Sequence, residues 1–361
     1  MTVYYITILL VFVFLSIAQN SMIKSVKLNN ETIIKKTKTT KTFFVLAAAV
    51  LIFVAGFRYF VGADYGSYYR GFEGYASDFW PSLKKFDEPG IRFIAKMTDV
   101  LGGDAADFIF VCSFVTIGLF MSTIYKNTNM PLLTTILYVF MGCWHGAFNG
   151  IRQNLAAAII FAGVGFIKER KFWKYLLVVF IAFLFHASAI IMIFPYFIAY
   201  NKINFRNIIL LIIASIVILF SFSELLNLAG FILRSEIAVE YEYITNSVSA
   251  LRVLVAIAPA VFFLFIYSGK SLSKEQCLCL NFLIINGVVM FATSNSTYFA
   301  RMGIYSAPFS ALSMPELIKG LKNREKVLFS TIIVVAFFVF WIYSLQKSYA
   351  LNDFKWIFGN I

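Results

Sequence analysis

Apolar runs close to the length of a bilayer crossing recur along the whole chain, and no other feature restricts its fold so strongly. They lie at about 3–19, 43–61, 105–125, 132–148, 151–167, 207–223, 250–268, 276–294, 297–315 and 327–345. A helix rises about 1.5 Å per residue, so about 20 residues cross a hydrocarbon core of ~30 Å. Backbone polar groups in lipid must be satisfied within the segment, and a helix does this. A β-barrel would instead show short segments of alternating polarity. Only 14% of the residues are charged and 60% are hydrophobic, whereas soluble chains carry about 25% charge. The expected class is an all-α polytopic integral membrane protein, with one transmembrane domain over residues 1–361. The first run, MTVYYITILLVFVFLSIA, has no basic residue before it and no small-residue cleavage pattern after it. It reads as a first membrane helix rather than a signal peptide.

The net charge of +13 does not point to nucleic acid. The lysines cluster in short segments between apolar runs, as in cytoplasmic loops. Loop 20–42 holds Lys24, Lys27, Lys35, Lys36, Lys38 and Lys41 against Glu31 alone, which places it inside. The N-terminus and the loop 62–104 then fall outside. The segment 174–200 is one apolar stretch with His186 in its middle and Pro195 near its end. As a single crossing it would put Lys270, Lys274, Lys319, Lys322, Arg324 and Lys326 outside. It would also put the acidic loop 224–249, with Glu224, Glu236, Glu240 and Glu242 against Arg234, inside. As a hairpin it reverses all of these, in agreement with the positive-inside rule. About 11–12 transmembrane helices follow, including a short hairpin around His186. The two larger outer-face loops are 62–104 and 224–249, and both termini lie outside. The first loop contains DEPGIRFIAKMTDVLGG, whose Ile91, Ile94, Ala95 and Leu101 suit an amphipathic helix at the interface.

In this topology the polar residues set against apolar spans gather on the outer side. Arg58 lies near the outer end of the second run, with Asp64 just beyond it in GADYGSYYRGF. Arg152, Gln153 and Asn154 open the fifth. His186 sits at the hairpin tip, and Asn295 and Arg301 lie between the later runs. Ionisable groups in the hydrocarbon region are costly and usually face a cavity or a partner. Three arginines facing one cavity suit an anionic ligand, because guanidinium stays charged and grips phosphate bidentately. His186 is a candidate general base or acid. Asp64 is a second candidate base, or a partner of Arg58 or Arg152. Tyr65, Tyr68 and Tyr69 suit either an aromatic belt or sugar stacking. His145, in CWHGAFNG, and the Cys277-Leu-Cys279 pair read as structural. No metal-ligand cluster or phosphate loop appears in the sequence.

Four stretches, FRYFVGADYGSYYRGF, GIRQNLAAAIIFAG, LFHASAIIMIFPYF and YFARMGIYSAPFS, occur in that order between about residues 50 and 315. Together the sequence resembles the EpsG-type polysaccharide polymerases of the wider Wzy-like group. The resemblance implies a bacterial cytoplasmic (inner) membrane enzyme with its active site on the extracytoplasmic side. It implies a membrane glycosyltransferase that joins repeat units carried on undecaprenyl diphosphate into an O-antigen, capsule or exopolysaccharide. The partners it implies are that lipid-linked oligosaccharide, membrane lipid and a chain-length regulator protein, with no nucleic acid, no cofactor and no metal. Carried over by position, His186 and Asp64 are the catalytic candidates. Arg58, Tyr65, Tyr68, Tyr69, Arg152, Gln153 and Arg301 are the substrate-binding ones. The rival classes are a lipid-linked glycan flippase or transporter, and a membrane acyltransferase acting on the same glycan.

Overall fold

The computed structural model describes residues 1–26, 32–199, 203, 205–220 and 246–359. Among the described residues six helices are long and apolar enough to cross a membrane: Thr2–Asn20, Lys38–Gly56, Ala105–Asn127, Ile151–Lys168, Lys274–Ala292 and Asn323–Lys347. Five shorter apolar helices accompany them: Pro131–Phe140, Phe172–Phe183, Ala187–Ile198, Arg206–Val217 and Ala250–Ile266. This is the all-α, multi-pass architecture that the apolar runs require. The lysine-rich loop adds a two-stranded antiparallel sheet, β1 (Ile23–Val26) and β2 (Thr32–Lys35), with Ile23 opposite Lys35 and Val26 opposite Thr32. Residues 224–245 of the expected outer loop, with Glu224, Arg234, Glu236, Glu240 and Glu242, lie outside the described residues.

The chain divides into two compact units. The first joins Met1–Met192 to Leu321–Ile361, and the second is Ile193–Gly320. In the first unit, α1 (Thr2–Asn20) packs on α2 (Lys38–Gly56). The α1 stripe is Tyr4, Thr7, Val11, Leu15 and Ala18, and the α2 stripe is Thr40, Phe44, Ala47, Leu51 and Val54. Both repeat at three and four residues, as one face of a helix must. Gly56, at the end of α2, allows close approach of α7 (Ala105–Asn127): a Cβ there would stand 2.5 Å from the Phe110 ring. Helix α10 (Ile151–Ala162) is closely enclosed, and its Ala156, Ala157 and Ala158 are all fully buried. Small side chains on successive faces let α7 and α12 (Phe172–Phe183) both approach it.

Several boundaries differ from those read in the sequence, each for a local reason. The run 132–148 is not one helix: it is divided into α8 (Pro131–Phe140) and the short α9 (Cys143–Gly146), because Gly142 turns the chain between them with φ +87°. The second run stops at Gly56, so Arg58 lies beyond its helix. The expected loop 62–104 holds the helix read in DEPGIRFIAKMTDVLGG and three shorter ones besides. It folds into α3 (Tyr65–Arg70), α4 (Phe72–Ser77), α5 (Phe79–Lys85) and α6 (Pro89–Val100). On α6, Ile91, Ile94 and Ala95 pack into a core shared with Tyr65, Tyr68, Phe72, Phe108, Ile109, Cys112 and Ile151. Leu101 is 86% exposed, because it follows the helix and turns off that face.

The hairpin around His186 is present. Helix α12 ends at Phe183, and a 3-10 turn, Ala187–Met192, doubles back along it. The Tyr175 hydroxyl, near the start of α12, donates to the Met192 carbonyl at 2.9 Å. His186 sits at the tip between the two arms.

In the second unit, helix Lys274–Ala292 is the core, buried along Leu278–Gly287. It packs against Ala250–Ile266 and Gly303–Lys319. Two buried polar contacts tie the unit together: Ser306 Oγ donates to Asn286 Oδ1 at 2.8 Å, and Asn281 Nδ2 donates to the Ala199 carbonyl at 3.0 Å.

Candidate active site

The polar residues at the entrance to α10 are held by two neighbouring loops. Asn154, one turn into the helix, donates through Nδ2 to the carbonyls of Asn149 (2.9 Å), Gly150 (3.2 Å) and Gly146 (3.3 Å). This folds 146–150 into a fixed loop. The segment after α2 then docks on it. Ala63 N–H donates to Asn149 Oδ1 at 2.5 Å, and Gly150 N–H donates to Asp64 Oδ2 at 2.7 Å. Gly62, with φ +108°, lies so close that a Cβ would stand 2.5 Å from the Phe148 carbonyl oxygen. Asp64 thus caps the start of α10, where a carboxylate satisfies an orphan N–H and complements the helix dipole.

Arg58 is fully buried. Its Nε donates to the Val61 carbonyl at 3.1 Å, and its Nη1 to Ser113 Oγ at 3.0 Å and to the Ala55 carbonyl. Its Nη2 reaches the Phe148 carbonyl at 3.5 Å. The guanidinium lies 4.8 Å from the Phe148 ring centre and 5.5 Å from that of Tyr65. The backbone on either side of it pairs with the C-terminal segment: Tyr59 N–H donates to the Lys355 carbonyl at 2.9 Å, and Ile357 N–H to that of Phe57 at 3.0 Å.

Arg152 and His186 meet at one carboxylate, Glu88. Arg152 Nη1 donates to Glu88 Oε2, and His186 Nδ1 lies 2.5 Å from Glu88 Oε1. The Ala187 N–H also donates to Oε1, at 3.4 Å. On its other side Arg152 Nε donates to the Tyr68 hydroxyl at 3.3 Å. The Arg152 side chain is nevertheless 37% exposed and that of His186 27%, while Glu88 is only 13% exposed. Burial pushes the Glu88 carboxyl up. The hydrogen bond from His186 and the charges of Arg152 and His186 outweigh it, and the group is held below the usual carboxylate value. Burial also holds the Tyr68 hydroxyl above its ordinary value, against the lowering pull of Arg152. Tyr68 therefore accepts from Arg152 as a neutral phenol.

Glu88 reaches this position through an uncommon backbone. Phe86 and Glu88 both adopt the left-handed conformation, with φ +54° and +47°, at a cost of about 1–3 kcal/mol each. The surroundings hold them there. Arg92 pairs with Asp87 at 2.9 Å, and Pro89 occupies the first position of α6. Gly90 N–H donates to the Leu184 carbonyl at 2.8 Å. A Cβ on Gly90 would lie 2.8–2.9 Å from three ring atoms of Phe185, so glycine is what lets the hairpin tip close on α6.

The other expected site residues are placed as follows. Tyr65 and Tyr68 are buried in the first unit's core, and Tyr69 stacks on Tyr65 at 5.9 Å while staying half-buried. Gln153 is buried beside Arg152. Arg301 belongs to the second unit, in the 3-10 turn Phe299–Met302 that leads into helix Gly303–Lys319. His145 is buried and accepts from Trp341 Nε1 at 3.3 Å. Glu88 was not among the expected residues. Seven acids lie between 62 and 104, and only its place before Pro89 and Gly90 distinguishes it from the rest.

No curated protein and no solved structure matches the chain. The sequence model of the EpsG family matches residues 41–357, a range that takes in Arg58, Asp64, Glu88, Arg152, His186 and Arg301. The chain belongs to the EpsG family, a Wzy-like family of polysaccharide polymerases.

Proposed function

We propose that this chain lengthens a bacterial surface polysaccharide by joining oligosaccharide repeat units carried on undecaprenyl diphosphate, at the outer face of the cytoplasmic membrane. Family membership supports polymerisation, and the loop charges support the outer face. The observation that carries the reading is the sharing of one carboxylate by a permanent cation, Arg152, and an imidazole, His186. A reaction that expels a diphosphate needs fixed positive charge where negative charge grows. It also needs a group to take the proton of the incoming hydroxyl.

In this mechanism the acceptor sugar hydroxyl gives its proton to Nε2 of His186. Its oxygen bonds to the anomeric carbon of the donor chain. The bond from that carbon to the diphosphate oxygen breaks, and its electron pair leaves with the diphosphate, which Arg152 stabilises. Tyr68 holds Arg152 by its Nε. Asp64, engaged by the Gly150 N–H, keeps the α10 entrance in place, and proton transfer is assigned to His186. The half-buried Tyr69 is a sugar-stacking surface. Gln153 and Arg301 are assigned to substrate binding on family resemblance.

A strain lacking the gene tests the reaction class. Single repeat units accumulating on the lipid carrier at the outer leaflet, with no ladder, support polymerisation. Accumulation at the inner leaflet means a flippase, and a full ladder lacking a side group means an acyltransferase. His186→Ala is expected to lower the polymerisation rate about 10²–10⁴-fold with normal amounts of folded protein. An unchanged rate transfers the base role to Asp64. Gly90→Ala pushes Phe185, and with it the hairpin tip, away from α6. The expected cost is about 1–3 kcal/mol of stability from overpacking, and a rate loss approaching 10²-fold if the tip moves by ~1 Å. Thermal unfolding in detergent and the rate on lipid-linked units check the two separately.

A further inference from the structure

We propose that Glu88 is a positioning residue for the transfer step. It sets which nitrogen of His186 faces substrate, and it ties that imidazole to Arg152. The inference rests on the reading of His186 as proton acceptor, and it adds a residue and a role that reading does not contain.

The two Glu88 oxygens are divided between two elements. Oε1 faces the hairpin tip, with His186 Nδ1 at 2.5 Å and the Ala187 N–H at 3.4 Å. Oε2 takes Arg152 Nη1 from the first turn of α10. An ionised carboxylate only accepts, so Nδ1 must be the nitrogen that carries hydrogen. In the neutral ring Nε2 is then the nitrogen with a lone pair. Among the described residues it makes no hydrogen bond, and the side chain is 27% exposed. A neutral imidazole with the opposite tautomer would offer an N–H to the incoming hydroxyl and could not take its proton.

The placement of this carboxylate is enforced from both sides. The left-handed backbone of Glu88, the Arg92–Asp87 pair before it and the Gly90–Leu184 hydrogen bond after it all fix the same short segment. Surface pairs such as Lys96–Asp99 have no comparable frame; they link neighbouring turns of one helix. One carboxylate therefore registers the base and the cation against each other, although they come from different elements.

Glu88→Gln keeps the shape and removes the charge. Its amide offers one oxygen, so it cannot accept from Arg152 and His186 as Glu88 does with two. The expected result is a fall in kcat of at least about 10²-fold, the lower bound for a misplaced base. KM for lipid-linked repeat units should change less than about threefold, because ground-state binding is kept. Glu88→Asp, which retains the charge on a shorter stem, should recover part of the loss. A loss of activity in His186→Ala together with an unchanged kcat in Glu88→Gln overturns the role of Glu88 alone. An unchanged rate in His186→Ala removes the base reading and this inference with it. A second measurement needs no variant. The chain has only two histidines, so ring-nitrogen NMR of histidine-labelled wild-type protein reads their tautomers directly. His186 protonated on Nδ1 supports the proposal; His186 protonated on Nε2 alone overturns it, whether or not any Glu88 variant folds.

Discussion

Arg152→Ala is expected to give membranes with normal amounts of folded protein and no polymer ladder. The two halves of this expectation have separate causes. The fold should survive because Glu88 keeps its other partners, the His186 ring and the Ala187 N–H. The lost ion pair is more than a third exposed on the arginine side, so solvent screening leaves it about 1 kcal/mol or less. The reaction should fail because a single donor aimed at developing negative charge is worth about 10²–10³-fold in rate. Lysine should restore little. Arg152 addresses Glu88 with Nη1 and Tyr68 with Nε, and a single ammonium cannot reproduce two donors set in one plane. Ladder length on a gel and the pool of lipid-linked single units, each normalised to protein in the membrane, check this. A full-length ladder from Arg152→Ala would falsify the anion-binding role.

Arg58→Ala should behave in the opposite way. Arg58 is fully buried and has no carboxylate partner among the described residues. Four oxygen acceptors and two ring faces surround it instead. Truncation takes this donor from the Val61 and Phe148 carbonyls and from Ser113, and leaves the Ala55 carbonyl only the Ser113 hydroxyl at 3.5 Å. At about 1–3 kcal/mol for each unsatisfied buried group, with some relaxation, the expected loss is about 3–5 kcal/mol. That is a large share of the 5–15 kcal/mol of a typical domain. The variant should therefore accumulate poorly and unfold at a lower temperature, with lost polymer as a consequence of lost protein. Quantifying folded protein beside polymer separates the cases. Wild-type accumulation without polymer would return Arg58 to direct substrate contact, the role expected from the sequence.

The contrast between these two arginines shows where sequence reasoning reaches its limit. Both lie at the end of an apolar run, and both match the family pattern. By residue type and spacing they are equivalent. One ends as a buried hub for four acceptors, the other half-open beside a carboxylate. The difference comes from the loop 146–150. It closes over Arg58 through the Phe148 ring and carbonyl and delivers Arg152 on the next turn.

The membrane helices were legible because transfer into lipid is a sum over about 20 consecutive residues, and that sum is local. Lysines counted loop by loop led to the doubled-back segment around His186, because each crossing reverses the sign expected of every later loop. The order of four short stretches led to the family. Glu88 could not be found in this way. It is one of seven acids between residues 62 and 104, and nothing in its neighbours states that Arg152, 64 residues on, and His186, 98 residues on, are its partners. Only the packed structure makes that choice. Gly90 leaves room for Phe185, the hairpin tip closes on α6, and the carboxylate just ahead of that contact is the one that meets both side chains. Partition into a membrane depends on local composition, so the sequence alone determined it. The pairing of charges across distant elements depends on close packing, and the tertiary structure decided it.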